Sequence, residues 1–331
     1  MKSQLSNFHI KAFSKFSKKR LAEVRRFVAR CKKLDGSEAL FYWESIKNRK
    51  NLGINEILCY VADELVGYLA LYHFEEHEIE ITVITHPDYR TPALYALLWE
   101  QAKRAVAQYS VDITRFVFTC NQQLLSLKDY LNRLGAECSE YTYKLALTAK
   151  SCSKIEALIE EFPIELRKAT QSDIPALTRL EMNCFQVAKE IYKNHLLKTL
   201  EDPTKEIIVA IKNEKIIGKI HMQIEKSNVL VYDFCVEPEE QRKGYGSFLL
   251  LGVARQLFNR QMKKIFIDVV DEYDLKWYTK FNFKRVATYE HWKLIPCIDP
   301  LKEREKQLEA LLLNFHCHQV QDQLSLTFYK H

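Results

Sequence analysis

The residues best suited to chemistry lie in one short segment with two glycines and two basic side chains: Gln241, Arg242, Lys243, Gly244, Tyr245 and Gly246. An apolar run, 229–236, precedes the segment and an amphipathic run, 247–260, follows it, an order that predicts strand, turn and helix. The first N–H groups of a helix are unpaired, and the helix dipole is positive there. Because the glycines have no Cβ and the basic residues add charge, the segment predicts a pyrophosphate cradle.

This cradle differs from two familiar phosphate-binding motifs. It lacks the G-x-x-x-x-G-K-[ST] of a P-loop, and Leu249 stands where a dinucleotide fingerprint has its third glycine. The pattern that remains, Q-x-x-G-x-G between a strand and a helix, resembles the acetyl-CoA signature of the GNAT N-acetyltransferase superfamily.

A second segment downstream carries the same resemblance. Residues 267–283 suggest a strand, a short helix and a turn, as in the GNAT pattern that ends Y-x-K-x-G-F. Tyr278 falls on the tyrosine that protonates the departing CoA thiolate in many members. Asn282 replaces the usual glycine and tolerates the left-handed backbone that such a turn needs. Asp274 or Asp271 stands where many members have a CoA-contacting asparagine.

The resemblance implies an enzyme, an acyltransferase that moves the acetyl group of acetyl-CoA, its co-substrate, to a primary amine by direct attack in a ternary complex. Such an amine must lose a proton, since a free lysine has a pKa of about 10.4. Asp233 on the motif strand is the first candidate for the general base, Asp268 on the next strand is the second and His221 is the third. Tyr278 is the candidate acid.

The resemblance also implies a set of cofactor-binding residues. The N–H groups at the end of the motif strand would hold the acetyl carbonyl oxygen in an oxyanion hole. The expected contacts to acetyl-CoA are Phe234, Cys235, Val236, Gln241, Arg242, Lys243, Gly244, Tyr245, Gly246, Ser247 and Asp274.

Structural interpretations of the same residues stay open. Tyr278 lies between Trp277 and Phe281 in sequence and could simply pack in the core. The base candidates could be hydrogen-bonded structural residues. Cys235 could form a covalent acyl-enzyme, but a buried cysteine is the commoner role.

Composition sets the broad class of the protein. A chain of 331 residues predicts two domains, and 47% hydrophobic with 28% charged residues is typical of a soluble globular protein. No apolar stretch approaches the roughly 18–20 residues of a membrane span, and no secretory signal is expected because residues 1–30 have no apolar h-region. The 9 cysteines include no C-x-x-C, which predicts reduced thiols in the cytoplasm and no metal site. The triplet His316-Cys317-His318 is interpreted as incidental.

The net charge of +6 comes largely from basic residues near the N-terminus. RNA or a membrane surface would suit them. A helix with a solvated basic face and a buried apolar face explains them as well, and no aromatic platform for single strands accompanies them. The expected partner is therefore a small-molecule amine or a peptide or protein amine, not a membrane or nucleic acid. No feature sets an oligomeric state.

Both halves of the chain predict one plan. Residues 164–295 give the order β-α-α-β-β-β-α-β-α-β of the GNAT fold, and the first half repeats it more faintly. The fold class is thus α/β with a mixed sheet, as two tandem GNAT folds. The predicted domains are 1–150 and 151–331, the second with a tail helix at 300–314 and a strand at 324–329.

The first domain lacks the motif residues of the second. Ala93 and Tyr95 stand at the two glycine positions, Pro92 removes an N–H donor, and Leu131 holds the tyrosine position. We therefore expect a degenerate, non-catalytic domain. Two alternatives remain for the whole protein: an aminoacyl- or long-chain acyltransferase acting on a peptide, and a non-catalytic regulator that binds acyl-CoA.

Overall fold

The computed structural model describes residues 8–49, 53–152, 162–185 and 189–295. Three sequence predictions lie outside the described residues: the tail helix at 300–314, the tail strand at 324–329 and the triplet at 316–318. The described chain divides into two compact units. One contains the residues up to Tyr141 and those from Ala287 onward, and the other contains Thr142–Val286.

The strands of the described residues are β1 (Phe8–Phe13), β2 (Glu56–Val61), β3 (Glu64–Glu75), β4 (Glu78–Thr85), β5 (Arg115–Asn121), β6 (Glu137–Thr148), β7 (Glu165–Lys168), β8 (Lys205–Lys212), β9 (Lys215–Glu225), β10 (Asn228–Val236), β11 (Lys264–Val269) and β12 (Lys284–Leu294). The helices are α1 (Lys18–Asp35), α2 (Trp43–Lys47), α3 (Pro92–Val106), α4 (Leu125–Arg133), α5 (Ala149–Cys152), α6 (Ile174–Phe185), α7 (Lys189–Glu201), α8 (Tyr245–Asn259) and α9 (Glu272–Lys280). Within these ranges, no helix is long and apolar enough to span a bilayer.

The sheet of the first unit has the strand order β1-β2-β3-β4-β5-β12. Strands β4 and β5 are parallel, and the other neighbours are antiparallel. On one face, Leu98 of α3 packs in a core with Ile81. On the other face, Phe27 of α1 and Ile46 of α2 pack in a core with Tyr68. Helix α1 has the buried apolar side and exposed basic side that the sequence predicts.

The sheet of the second unit has the order β6-β11-β10-β9-β8-β7, with β10 and β11 as its parallel pair. Leu249 of α8 packs with Ile267 on one face. Leu177 of α6 and Leu196 of α7 pack with Val209 on the other face. The second unit therefore has three layers, with the parallel pair in the middle layer.

The predicted order of elements in the second half, from β7 to β12, is confirmed. The first half has the same order, although its opening strand, β1, was not predicted. The pairing of the last strands was not predicted either. β6 ends the first half but pairs with β11, and β12 ends the second half but pairs with β5. Each unit thus receives its last strand from the other half of the sequence.

The start of α6 is fixed by a tight set of polar contacts. Two guanidinium nitrogens of Arg167 donate to the Asp173 carboxylate at 2.7 and 2.8 Å. Hydrogen bonds from Arg167 outweigh the effect of burial and lower the pKa of Asp173 to about 2. Asp173 also forms a reciprocal capping box with Thr170. This anchor holds α6, which carries Glu181 on its buried side.

The packing of α8 gives a stability prediction. Leu257 is 1% exposed in the core, whereas its neighbour Gln256 is exposed on the same helix. Leu257→Ala leaves a cavity and is expected to lower the free energy of unfolding by about 2–5 kcal/mol. Gln256→Ala, the matched control, is expected to change it by less than about 0.5 kcal/mol. Urea denaturation measures both; equal effects would contradict the packing of α8 against the sheet.

Candidate active site

Strands β10 and β11 run side by side for only part of their length. Their parallel register extends from Asn228–Lys264 to Val231–Ile267, while β10 continues to Val236. The register of β10 with β9 passes from Tyr232–His221 directly to Cys235–Lys219, so Asp233 and Phe234 form a bulge. Asp233 has a φ of 45°, a left-handed conformation that aspartate tolerates better than most residues. The bulge turns β10 away from β11 and opens the sheet at this point.

The cradle segment leads from this opening into α8. The Gln241 side chain donates to the Val236 carbonyl at 3.0 Å and fastens the turn to the end of β10. Helix α8 begins after Gly244, which has a φ of 89°, and no side chain caps its first N–H groups. The left-handed backbone at Gly244 favours glycine, and a Cβ there would lie 2.8 Å from Cζ of Phe162, so the phenyl ring would have to shift. The first turn of α8 keeps its backbone donors for a ligand.

Positive charge surrounds this helix terminus. The Arg242 guanidinium lies over the Tyr273 ring of α9, 5.0 Å from the ring centroid. Glu240 accepts from Lys212 at 2.9 Å and from Lys243 at 3.2 Å. One carboxylate therefore meets two ammonium groups, and Arg242 has an aromatic rather than an acidic partner. The Arg242 and Lys243 side chains at this helix terminus suit a pyrophosphate.

Tyr278 lies on the α8 side of the sheet. Its ring is buried against Trp277 and Phe283, at centroid distances of 4.8 and 5.5 Å. Burial, with a smaller effect of the Asp274 charge, raises the pKa of Tyr278. The hydroxyl therefore keeps its proton at neutral pH and is a weaker acid than the hydroxyl of an exposed tyrosine. Asp271 caps the helix by accepting from the Asp274 N–H at 2.7 Å, and burial followed by the Asp271 charge raises the pKa of Asp274.

On the opposite face, Asp233 ends a row of titratable side chains that we call the buried relay. It runs through Glu181, Lys219 and His221, each 0% exposed, to the half-buried Asp233. Lys219 Nζ contacts the Glu181 carboxylate and lies 3.0 Å from His221 Nε2. His221 Nδ1 lies 3.5 Å from Asp233 Oδ2, and His195 Nε2 of α7 lies 3.9 Å from the same oxygen.

Burial controls the protonation of the relay. It lowers the pKa of Lys219 to about 8, with Cys235 and Asp233 opposing the shift. It also lowers the pKa of His221 far below its usual value, and the Lys219 charge adds to this effect. Burial lowers the pKa of His195 despite the nearby Asp233 charge. At neutral pH the lysine is therefore mostly charged and both imidazoles are mostly neutral.

Two members of the relay, together with His195, form a candidate ligand set for a cation, because the donor atoms of His195, His221 and Asp233 lie within 4.8 Å of one another. The Lys219 ammonium group can only donate hydrogen bonds, so Nε2 of His221 must accept from it. Neutral His221 then has its hydrogen on Nδ1, the atom that a metal would need. The arrangement fits proton chemistry better than metal binding.

The sequence predictions met different outcomes here. The structure brings Asp233 and His221 together, whereas Glu181, Lys219 and His195 were missed. Their signal was faint: a lysine and a histidine two residues apart on a buried strand share one face. Asp268 is half-buried on β11, with Lys144 as its cross-strand neighbour. The roles of Asp233, His221 and Asp268 as candidate bases stay predictions.

Cys235 is buried on β10, close to the half-buried Cys184 of α6. A hydrogen bond with the Cys184 thiol, followed by burial, raises the pKa of Cys235. A thiol that stays protonated is a poor nucleophile. The geometry therefore favours the structural interpretation of Cys235 over an acyl-enzyme.

The corresponding part of the first unit is closed by its own side chains. Thr91 Oγ1 accepts from the Leu94 N–H at 3.3 Å and caps α3. The Tyr95 hydroxyl lies 2.9 Å from Ser126 Oγ and 3.3 Å from Thr85 Oγ1. Tyr95 is 3% exposed, and its hydroxyl lies between the end of β4 and α4. The donors that α8 leaves open are thus partly satisfied internally in α3.

Comparison with known proteins identifies the second unit. Residues 174–283 match the model of the Acetyltransferase (GNAT) family. This segment is a GNAT domain. Its limits enclose the buried relay, the cradle, α9 and Tyr278. None of the curated proteins matches the chain.

Solved structures extend the likeness to both units. A GCN5-related N-acetyltransferase from Sphaerobacter thermophilus is 16% identical, with a TM-score of 0.69 over 88% of this chain and 98% of that one. A tandem GNAT protein from the clavulanic acid biosynthesis pathway is 12% identical, with a TM-score of 0.71 over 88% and 100%. N-myristoyltransferase from Saccharomyces cerevisiae, with bound myristoyl-CoA, is 13% identical, with a TM-score of 0.58 over 89% and 80%. The predicted fold, two tandem GNAT folds, is confirmed.

The two glycines of the cradle are expected to respond differently to alanine. Gly244→Ala forces a Cβ into a left-handed backbone and against Phe162, and is expected to cost about 1–3 kcal/mol of stability. A Cβ on Gly246 would meet its neighbours at 3.7–3.9 Å, so Gly246→Ala is expected to stabilise the helix by about 0.4–1 kcal/mol. Thermal unfolding of both variants measures the contrast. A stable Gly244→Ala protein would refute the proposed geometry of the turn.

Proposed function

We propose that this protein is an N-acetyltransferase, which moves the acetyl group of acetyl-CoA to a primary amine within a ternary complex. Membership of residues 174–283 in the GNAT family implies acyl transfer. The observation that carries the finer proposal is the uncapped N-terminus of α8 beside the bulge of β10. It combines an anion site with an open strand edge, which acetyl-CoA needs for its pyrophosphate and its acetyl group.

The residues around the cradle fit acetyl-CoA. The N–H groups of Tyr245, Gly246 and Ser247 would hold the pyrophosphate, and Arg242 and Lys243 would offset its charge. The N–H groups near the bulge, at Phe234, Cys235 and Val236, would hold the acetyl oxygen. Asp274, on the exposed face of α9, is the proposed further contact. When bound, acetyl-CoA supplies the acyl group as a thioester.

The protein's own residues would then move two protons. Asp233 takes a proton from the acceptor nitrogen as the new C–N bond forms, and Asp268 is the alternative base. Tyr278 gives its proton to the departing sulfur as the C–S bond breaks. The two groups lie on opposite faces of the second unit's sheet, so both would reach one bound thioester through the gap where β10 leaves β11.

The two halves of the sequence have different proposed roles, because the helix N-termini of α8 and α3 differ. We propose that 151–331 is the catalytic domain and that 1–150 is a degenerate GNAT-like domain without CoA chemistry. The internal capping of α3 and the position of Tyr95 support this division. The acceptor is a small-molecule amine or an amine of a peptide or protein. Free thiols at all described cysteines support a cytoplasmic setting.

Calorimetric titration with acetyl-CoA tests the binding part of the proposal. One site per chain is expected, and Gly246→Glu is expected to weaken binding at least about 100-fold by placing a carboxylate beside the pyrophosphate. Ala93→Glu, at the corresponding turn of the first unit, is the matched control and should leave the titration unchanged. Two sites would contradict a degenerate first domain. Tighter binding of a long-chain acyl-CoA would favour the long-chain acyltransferase alternative. No binding of any acyl-CoA would contradict both that alternative and the proposed N-acetyltransferase.

Tyr278→Phe tests the proposed acid. The ring contacts of Tyr278 survive in phenylalanine, so folding should persist while the proton donor is lost. We expect kcat for acetyl transfer to fall by about 100-fold or more, with acetyl-CoA affinity unchanged. Phe283→Leu serves as the packing control, with a change in stability but a smaller change in kcat. Unaltered turnover in Tyr278→Phe would remove its catalytic assignment.

A further inference from the structure

The buried relay is costly to maintain and is not explained by packing. Glu181, Lys219 and His221 are all 0% exposed, between the sheet and α6. Taking an ion pair and an imidazole out of water carries a desolvation penalty that apolar residues of similar size would avoid. The relay ends at Asp233, the proposed base. This placement gives the buried groups a role in the reaction.

The order of hydrogens in the relay follows from donor chemistry. Glu181 is the anionic neighbour of Lys219 and favours its charged form. An ammonium group is a donor only, so Nε2 of His221 accepts at 3.0 Å and Nδ1 carries the hydrogen. Nδ1 is the ring nitrogen nearest Asp233, 3.5 Å from Oδ2. The N–H therefore faces a carboxylate oxygen.

We propose that His221 is a positioning residue for this reaction: its Nδ1–H holds the Asp233 carboxylate in place, and the Lys219–Glu181 pair sets the tautomer that makes this possible. The inference rests on the proposed function, because it takes Asp233 to be the base. At 3.5 Å the contact is longer than a hydrogen bond. Catalytic hydrogen bonds are often this long without substrate and tighten only in the complex with it.

The second imidazole completes the arrangement. His195 lies with its ring parallel to that of His221, at 6.5 Å and an interplanar angle of 6°. Its Nε2 is 3.9 Å from the same Asp233 oxygen. The carboxylate thus lies between a fully buried ring and a ring on the exposed side of α7. A donor fixed from the buried side holds the carboxylate at the mouth of the bulge.

Two amide substitutions separate the two nitrogens of His221. In His221→Asn, the amide nitrogen can take the place of Nδ1 and still donate to Asp233. In His221→Gln, the longer side chain puts the amide near the Nε2 position and Lys219, away from Asp233. We expect kcat of the asparagine variant to stay within about tenfold of wild type and that of the glutamine variant to fall about 100-fold, with the KM for acetyl-CoA unchanged in both.

Equal losses in these variants, at equal thermal midpoints, would overturn the positioning role. So would a loss confined to the KM for acetyl-CoA. Both variants replace the same ring with an amide of similar polarity. A general effect on folding would therefore reduce kcat of both variants to a similar degree. Thermal unfolding with acetyl-CoA present shows that each variant still binds its co-substrate.

Nitrogen-15 NMR of histidine-labelled full-length protein tests the tautomer without any enzyme assay. The His221 signals, identified by their absence in His221→Asn, are expected to show hydrogen on Nδ1 and none on Nε2. In the double variant Glu181→Gln, Lys219→Met, which removes both charges together, the preference for Nδ1–H should be lost. A hydrogen on Nε2 in the wild type would overturn the inference. The wild-type protein could instead show the expected tautomer and bind acetyl-CoA, yet acetylate no amine. That result would overturn the proposed function, and with it the role of His221.

Discussion

The bulge at Asp233 is the constraint on which the rest of the site depends. Two parallel strands that stay in register pair their backbone N–H and C=O groups with each other, which leaves no N–H between them for a ligand. The left-handed backbone at Asp233 breaks that register, and β10 leaves β11 after Val231. The same displacement brings the Asp233 carboxylate to the two imidazoles on one face. One local distortion therefore makes both the opening for an acyl group and the position of a base.

The two units show how one plan can keep or lose a ligand site by small changes at a helix terminus. In α8, a left-handed glycine precedes the first turn and no side chain caps it, so the backbone donors remain for an anion. In α3, Thr91 supplies an internal acceptor, and the nearby Tyr95 is buried with its hydroxyl near Thr85 and Ser126. Backbone donors must be satisfied somewhere, by protein or by ligand. The first unit satisfies part of that need within itself.

Several features of this protein could be read from its sequence. The cradle was visible because glycines and basic residues adjoin a strand and a helix. The order of elements was visible because buried strands and amphipathic helices have different periodicities. Strand β1 was missed because its residues, Phe8–Phe13, are only partly buried and mix basic with aromatic side chains. Its pairing with β2 supplies the stability that its own pattern lacks.

The sequence by itself determined the local chemistry of the cradle, since turn conformation and helix polarity depend on neighbouring residues. Tertiary structure alone decided the exchange of β6 and β12. The alternation of apolar and polar residues predicts a strand and its buried face, but it does not say which distant strand is its partner. It also decided the buried relay. Glu181 lies on a helix and Lys219 on a strand, and each alone would be assigned to the surface. Only packing of α6 on the sheet excludes water and makes each the necessary partner of the other.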